Sequence, residues 1–250
     1  MSLYDWAKFR TTKGAVKLHV KLNHAGYIPT FAIVTTGKVH EQKVAPLIPF
    51  EKGDVVVFDR GYNNFKWYAS LCSRNIYFVT RIRKNADYKV VERREVKNYK
   101  YITSDQTIKV KGFYSKQKIE YPLRRIRSKD PETQKHIVLL TNNFKWSPET
   151  IGKIYKDRWQ IELFFKSLKQ QLKVKSFVGT SRKALLSQLW VALIAYLLLS
   201  YFKFKSTFGW SLYTLSSILP TNLFSRSDIW DWLRSSFSCF FAFSTGYSST

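Results

Sequence analysis

Acidic residues are scarce in this chain. Seventeen Asp and Glu stand against 42 Lys and Arg over 250 residues, leaving a formal charge of +25 that runs through the whole length rather than gathering in a tail. Such an excess says nothing about fold, but it calls for a polyanionic partner: DNA, RNA or an anionic membrane. Cysteine is nearly absent. Cys72 and Cys239 fit neither a metal spacing nor a disulfide framework, which points to a reduced intracellular protein. The four histidines (His19, His24, His40, His136) form no spaced ligand pair on a helix, which argues against zinc. Long apolar runs are missing as well. The longest, 189–202, covers about 14 residues where a membrane span needs about 20. The first residues hold no apolar segment typical of a signal peptide. Membrane is therefore the weakest of the three partners. Repeats and low-complexity tracts are also lacking. What remains is 45% hydrophobic and 17% aromatic, enough for a packed core in one large domain or two small ones.

The most informative stretch is 147–173, which reads as one helix. Ser147 can cap its first turn, Pro148 suits the first helical position, and Glu149 suits the positive end of the dipole. At about 100° per residue, Tyr155, Arg158, Glu162, Lys166 and Lys169 share one face. One carboxylate thus sits among three cations and a phenol. The plain alternative is a solvated stripe with a Glu162–Lys166 pair, worth about 0.2–0.5 kcal/mol. The chemical alternative is a carboxylate that helps hold a divalent cation while the Arg and Lys side chains hold phosphates.

Upstream, Val16, Leu18, Val20 and Leu22 alternate with Lys17, His19 and Lys21, a half-buried strand; His24–Gly26 turn, and 28–35 completes a hairpin. A short helix or loop lies near 42–49. Val55–Phe58 is a continuous apolar run, as in a strand buried on both faces, and ends at Asp59-Arg60-Gly61-Tyr62. An acid at the end of such a strand, before a glycine turn, lies where α/β sheets place their sites, though a simple turn Asp reads the same way. A helix over 63–74 and a strand over 76–82 follow. From 84 to 135, short apolar pieces at 88–91, 107–110 and 118–121 alternate with charge, a basic β-rich insertion. Residues 136–141 return to a core strand. An apolar helix covers 182–203, with shorter helices at 212–219 and 228–233.

The words Tyr155-x2-Arg158-x3-Glu162-x6-Lys169 resemble the signature around the third catalytic acid of bacterial insertion-sequence transposases of the insertion-sequence-four family. Asp59-Arg60-Gly61-Tyr62 looks like that family's second-Asp segment. Trp6–Arg10, Lys13–His19, Leu140–Phe144 and Phe177–Ser181 are similar to its text as well, so the resemblance spans about 3–235. It implies an α/β, RNase H-like catalytic core with a β-rich insertion and C-terminal helices. The corresponding division is a partial core over 1–83 carrying Asp59, the insertion over 84–135, the rest of the core over 136–203, and a helical region and tail over 204–250. It also implies DNA cleavage and strand transfer at element ends, with two Mg²⁺ or Mn²⁺ ions about 3.5–4 Å apart held by three carboxylates. Asp59 and Glu162 map onto the second and third, as catalytic residues and metal ligands. Tyr155, Arg158 and Lys169 map onto residues that grip DNA, joined more loosely by Lys166 and by Arg60 and Tyr62 beside Asp59. The implied partners are double-stranded DNA, both element ends and target, and a second copy on the DNA. Membrane is not among them, and the implied location is the bacterial cytoplasm at the nucleoid.

One departure accompanies the match. The family's first Asp ends a central strand upstream of the Trp-Ala-Lys segment, and here Met1 stands three residues before Tyr4. Asp5 maps past the catalytic position. The expectation is a transposase truncated at its N-terminus, lacking the first central strand and inactive alone. The strands at 16–22 and 55–58 should then lie apart or be re-paired. A non-catalytic DNA-binding protein that interferes with a full-length transposase is the alternative.

Overall fold

The computed structural model describes residues 8–10, 13–14, 16–83, 85–111, 119–130, 133–170, 179, 181–206, 209–222 and 230–231. Asp5, Cys239 and most of the helix expected at 228–233 lie outside them. The chain divides into two compact units, residues 1–21 with 31–162, and residues 22–30 with 163–250.

The first unit is built on a six-stranded mixed sheet. In chain order its strands are β5 (Val55–Val57), β6 (Tyr77–Arg81), β7 (Tyr88–Arg94), β8 (Ile102–Val110), β9 (Leu123–Lys129) and β10 (His136–Thr141). In space they run β5-β6-β10-β9-β8-β7. β5 and β6 are parallel and every other pair is antiparallel. The β-rich stretch is therefore continuous with the strand that carries Val55–Val57. The third of its strands begins at Leu123, after Pro122, rather than at 118–121, because proline has no N–H to give the ladder.

Period-2 alternation sorts the sheet's side chains. Val56, Phe78, Leu140, Leu123 and Ile108 join the cluster containing Trp67, Tyr68 and Leu71 of helix α2 (Phe65–Ser73). Val79, Leu139 and Ile126 point the other way, onto Ile151 and Tyr155 of helix α3 (Pro148–Lys156). Asn64 caps α2, its Oδ1 accepting from the N–H groups of Lys66 and Trp67. Ser147 caps α3 by accepting from Thr150 N–H at 3.1 Å, and Pro148 follows it as expected.

β3 (Val16–Leu22) and β4 (Pro29–Thr36) form a separate two-stranded sheet, as do β1 (Lys8–Arg10) and β2 (Lys13–Gly14). Among the described residues β5 is an edge strand, the strands at 16–22 and 55–57 lie in separate sheets, and β1 and β2 pair only with each other. Glu41–Val44 forms the one-turn helix α1.

The expected continuous helix over 147–173 is broken. α3 stops at Lys156 and α4 runs Trp159–Gln170, with 171–173 outside the described residues. The joint holds neither Gly nor Pro. Its amide bonds run back three residues: Asp157 to Ile154, Arg158 to Tyr155, Gln160 to Asp157, Ile161 to Arg158. That tighter turn rephases the helix. Tyr155 and Ile151 pack in the first unit's core, whereas Phe164 packs edge-on against Tyr196 at 4.9 Å in the second unit. Each half thus faces its own core.

In the second unit, α5 (Arg182–Lys205) buries Leu185, Leu189, Ala192, Leu193, Tyr196 and Leu199. Leu199 packs with Trp210 and with Leu215 of α6 (Leu212–Asn222). At 24 residues, α5 exceeds the 14-residue apolar run read from the sequence. It is long and apolar enough to cross a membrane by length and composition.

Candidate functional site

Asp59 follows β5 directly and caps the 3₁₀ turn Arg60–Tyr62, its Oδ1 accepting the Arg60 N–H. The turn is held from several sides. Asn63 Nδ2 donates to Arg81 O at 2.8 Å, Thr80 Oγ1 donates to Phe58 O at 3.0 Å, and Gln42 Nε2 donates to Asn63 O at 2.9 Å. Asp59 is exposed and makes no ion pair among the described residues. It lines an open cavity of about 520 Å³ with Arg60, Gly61, Arg83 and Asn85.

Tyr62 is half-buried. Its hydroxyl meets His19 Nδ1 at 2.9 Å, and His19 Nε2 meets Thr35 Oγ1 at 3.0 Å. Burial first, then the charges of Glu41 and Asp59, push the Tyr62 phenol up to about 12. Burial likewise lowers His19, with Lys17 adding to the effect and Glu41 opposing it. A neutral imidazole and a neutral phenol therefore meet behind the Asp59 turn, against Glu41, which bonds Lys17 Nζ at 2.9 Å.

Glu162, on the first turn of α4, takes Arg158 as its ion-pair partner, Nη2 to Oε1 at 2.8 Å. Burial works to lower the Arg158 pKa. It is outweighed by the hydrogen bond to Glu162 and the charges of Tyr155, Glu162 and Asp59, so the guanidinium is held firmly cationic. Burial raises the Tyr155 phenol and Asp59 adds to that, while Arg158 and Arg81 pull it down. These mutual influences place Asp59, Tyr155, Arg158 and Glu162 in one electrostatic neighbourhood. Lys166 and Lys169 lie further along α4, in the second unit. Across the break Arg158 still reaches both Glu162 and the Tyr155 ring, the latter at 5.8 Å.

Arg81, Arg83 and Asn85 were not singled out from the sequence. The signal was present but indirect: β6 runs parallel to β5, so residues at and just after its C-terminal end fall beside Asp59. Among the described residues, no three His, Cys, Asp or Glu side chains gather as a metal-binding group. The donor chemistry of Asp59 and Glu162 still suits a hard cation, because carboxylate oxygens are the preferred ligands of Mg²⁺ and Mn²⁺. The Arg158 charge paired with Glu162 already does part of a cation's work there.

Fold and site together define an α/β protein with an Asp at a strand end and a helical Glu paired with an arginine. The chain belongs to the family described as "Transposase DDE domain", whose profile matches residues 4–198. It is similar to "Putative transposase y4zB" of Sinorhizobium fredii, 32% identical over 233 residues, covering 91% of this chain and 64% of that protein. It also resembles "Probable transposase for insertion sequence element IS5377" of Geobacillus stearothermophilus, at 29% identity, covering 78% of this chain and 51% of the relative. "Putative transposase for insertion sequence element IS4SA" of a Synechocystis strain is 25% identical, with 88% and 62% covered. The chain thus spans 51–64% of the length of these relatives.

Proposed function

We propose that this chain carries the carboxylate-bearing part of an insertion-sequence transposase with an RNase H-like core, acting on the double-stranded DNA of element ends and target. The observation that carries this reading is the gathering of Asp59, Tyr155, Arg158 and Glu162 in a family-matched segment of a chain with charge +25. Asp59 and Glu162 would hold a divalent cation, Mg²⁺ or Mn²⁺, which when bound activates the attacking oxygen and offsets charge on the leaving one. Arg158 orients the Glu162 carboxylate through Oε1. Tyr155 and Tyr62, held neutral, serve as hydrogen-bond donors that do not repel a phosphate. Arg60, on the cavity rim, together with Lys166 and Lys169 on α4, supplies cations for the backbone. The boundaries 1–83, 84–135, 136–203 and 204–250 stand as the proposed division of roles. A second copy on the DNA, no membrane and a location at the bacterial nucleoid complete the proposal. In it α5 is a core helix, as its packing on α6 supports.

Among the described residues no three His, Cys, Asp or Glu side chains gather, so the proposed site has two carboxylates and not three. The 250-residue chain alone is therefore proposed to bind a cation weakly and to leave strand cleavage incomplete. The same observation favours a second reading, a non-catalytic DNA binder that interferes with full-length transposase. Mn²⁺ titration of the full chain, read by water-proton relaxation, tests the first reading. Binding should weaken at least about tenfold, one pKd unit or 1.4 kcal/mol, in Asp59→Asn and in Glu162→Gln. Unchanged binding in both variants overturns the carboxylate assignment. Cleavage of an element-end duplex by the chain alone, abolished by Glu162→Ala, would show that another acid completes the site.

A further inference from the structure

The sheet's two faces differ in charge. On the face that packs α3, among the described residues, Arg94 and Arg124 are matched by acids, whereas Lys89 and Lys109 are not. Asp105 bonds Arg124 at 2.6 Å and Arg94 at 3.4 Å, and Glu92 bonds Arg94 at 3.1 Å. Among the described residues of β7, β8 and β9, the opposite face carries no acid. Register places Arg93, Gln106, Arg125 and Leu140 in one row across β7, β8, β9 and β10, and Arg127 with Ser104 and Val138 in the next. Lys129 pairs with His136 beyond them. Arg93 and Arg127 are exposed and Lys129 is half-buried; none of the three has an acidic partner among the described residues. Arg125 is fixed in the middle of the row. It lies over the Tyr88 ring at 5.3 Å, donates to Gln106 Oε1 at 3.0 Å, and keeps a buried Nε with no partner.

We propose that this face is a second docking surface for the sugar–phosphate backbone of duplex DNA, on the side of the sheet opposite α3. The spacing fits. Residues two apart on a strand lie about 6.8 Å apart, so Arg125, Arg127 and Lys129 form a straight row of charges along β9. One DNA strand presents a phosphate about every 3.4 Å of axis, so a row of this pitch faces a dense line of negative charge. Arg93, two strands away, widens the row by about 9.6 Å. Gln106, whose amide could read an adenine edge, is buried with its Oε1 taken by Arg125, so the contact proposed is to the backbone and independent of sequence. The proposal rests on the reading of this chain as one that acts on DNA, and not on the carboxylate site.

The test is a salt titration of the full chain on a short random-sequence duplex, followed by fluorescence anisotropy. Each lost phosphate contact makes the slope of log K against log [salt] shallower by about 0.9. The triple variant Arg93→Ala/Arg127→Ala/Lys129→Ala should therefore lose about 2–3 units of slope. The control triple Lys52→Ala/Lys89→Ala/Lys109→Ala removes the same charge, with Lys89 and Lys109 on the opposite face of β7 and β8, and should lose less than about one. Equal losses in both triples, an unchanged slope in the first, no duplex binding by the parent chain, or a slope change seen only on single strands each overturns the proposal. Lysine-reactive footprinting of the unsubstituted chain gives an answer that needs no variant to fold. DNA should protect Lys129 and leave Lys109 reactive, and the reverse pattern refutes the surface. If Mn²⁺ binding fails to depend on Asp59 and Glu162 while this slope loss stands, the carboxylate reading falls and the docking face survives.

Discussion

Removing the Asp105 carboxylate should be among the most damaging single changes in the first unit. Asp105 and Arg124 are 3% and 4% exposed. Arg124 Nε donates to Asp105 Oδ1 at 2.9 Å and its Nη2 to Oδ2 at 2.6 Å. The same guanidinium donates through Nη1 to the carbonyls of Trp146 and Asn143, in the loop that leads to Ser147 and α3. Asp105→Ala strands that buried cation, which costs about 3–5 kcal/mol. Arg94 adds little to the loss, because it keeps Glu92. The double change Asp105→Leu/Arg124→Met removes both charges and the penalty for stranding one. It still leaves the two loop carbonyls without their donor, worth about 1–3 kcal/mol. Urea unfolding of the full chain by circular dichroism should therefore rank parent, double variant and Asp105→Ala in falling order of midpoint, with the slope unchanged. A loss under about 1 kcal/mol for Asp105→Ala, or a double variant no better than the single one, would refute the reasoning.

Two further outcomes follow from the capping and titration chemistry. Asn64→Ala removes the acceptor for two amide protons at the start of α2 and should cost about 1 kcal/mol in the same unfolding assay; no change would mean water replaces the cap without penalty. His19 titrates below its ordinary 6.5 in the folded chain, chiefly because it is buried. The unfolded chain therefore takes up the proton first. The His19 contribution is complete above about pH 6.5 and is lost as the pH falls below it, at up to about 1.4 kcal/mol per pH unit until the folded pKa is reached. Melts between pH 5 and 7.5 should show this slope in the parent chain and a flatter one in His19→Gln; equal slopes would rule His19 out.

Local patterns in the sequence located the elements whose physics is local. Alternation of apolar and basic residues over Val16–Leu22 and the apolar run at His136–Thr141 match β3 and β10 residue for residue. The Ser147–Pro148 start of α3 is local too. β9 was hidden because Leu-Arg-Arg-Ile-Arg-Ser-Lys looks solvated, yet Arg124 is buried against an acid 19 residues away. No window of sequence pairs those two. The joint at Asp157–Arg158 was hidden for the complementary reason. A 3.6-residue period runs unbroken through it, and the break depends on two halves packing into two different cores. The site was half legible. Asp59, Tyr155, Arg158 and Glu162 were named, whereas Arg81 and Arg83 come beside Asp59 only through the parallel pairing of β5 with β6.

A chain of charge +25 that must also hold a cation faces a conflict, because a field that attracts DNA repels a metal ion. The sheet offers a resolution by distance. Asp59 follows β5 at one edge, whereas Arg127 and Lys129 lie on β9 three strands along and Arg93 on β7 at the far edge, all on the face opposite α3. Neutralising Arg158 should then tighten cation binding at Glu162, since it removes the nearest competing charge, whereas neutralising Arg127 should loosen DNA and leave the cation untouched. That separability is what one crowded site, serving both ligands with the same side chains, would not show.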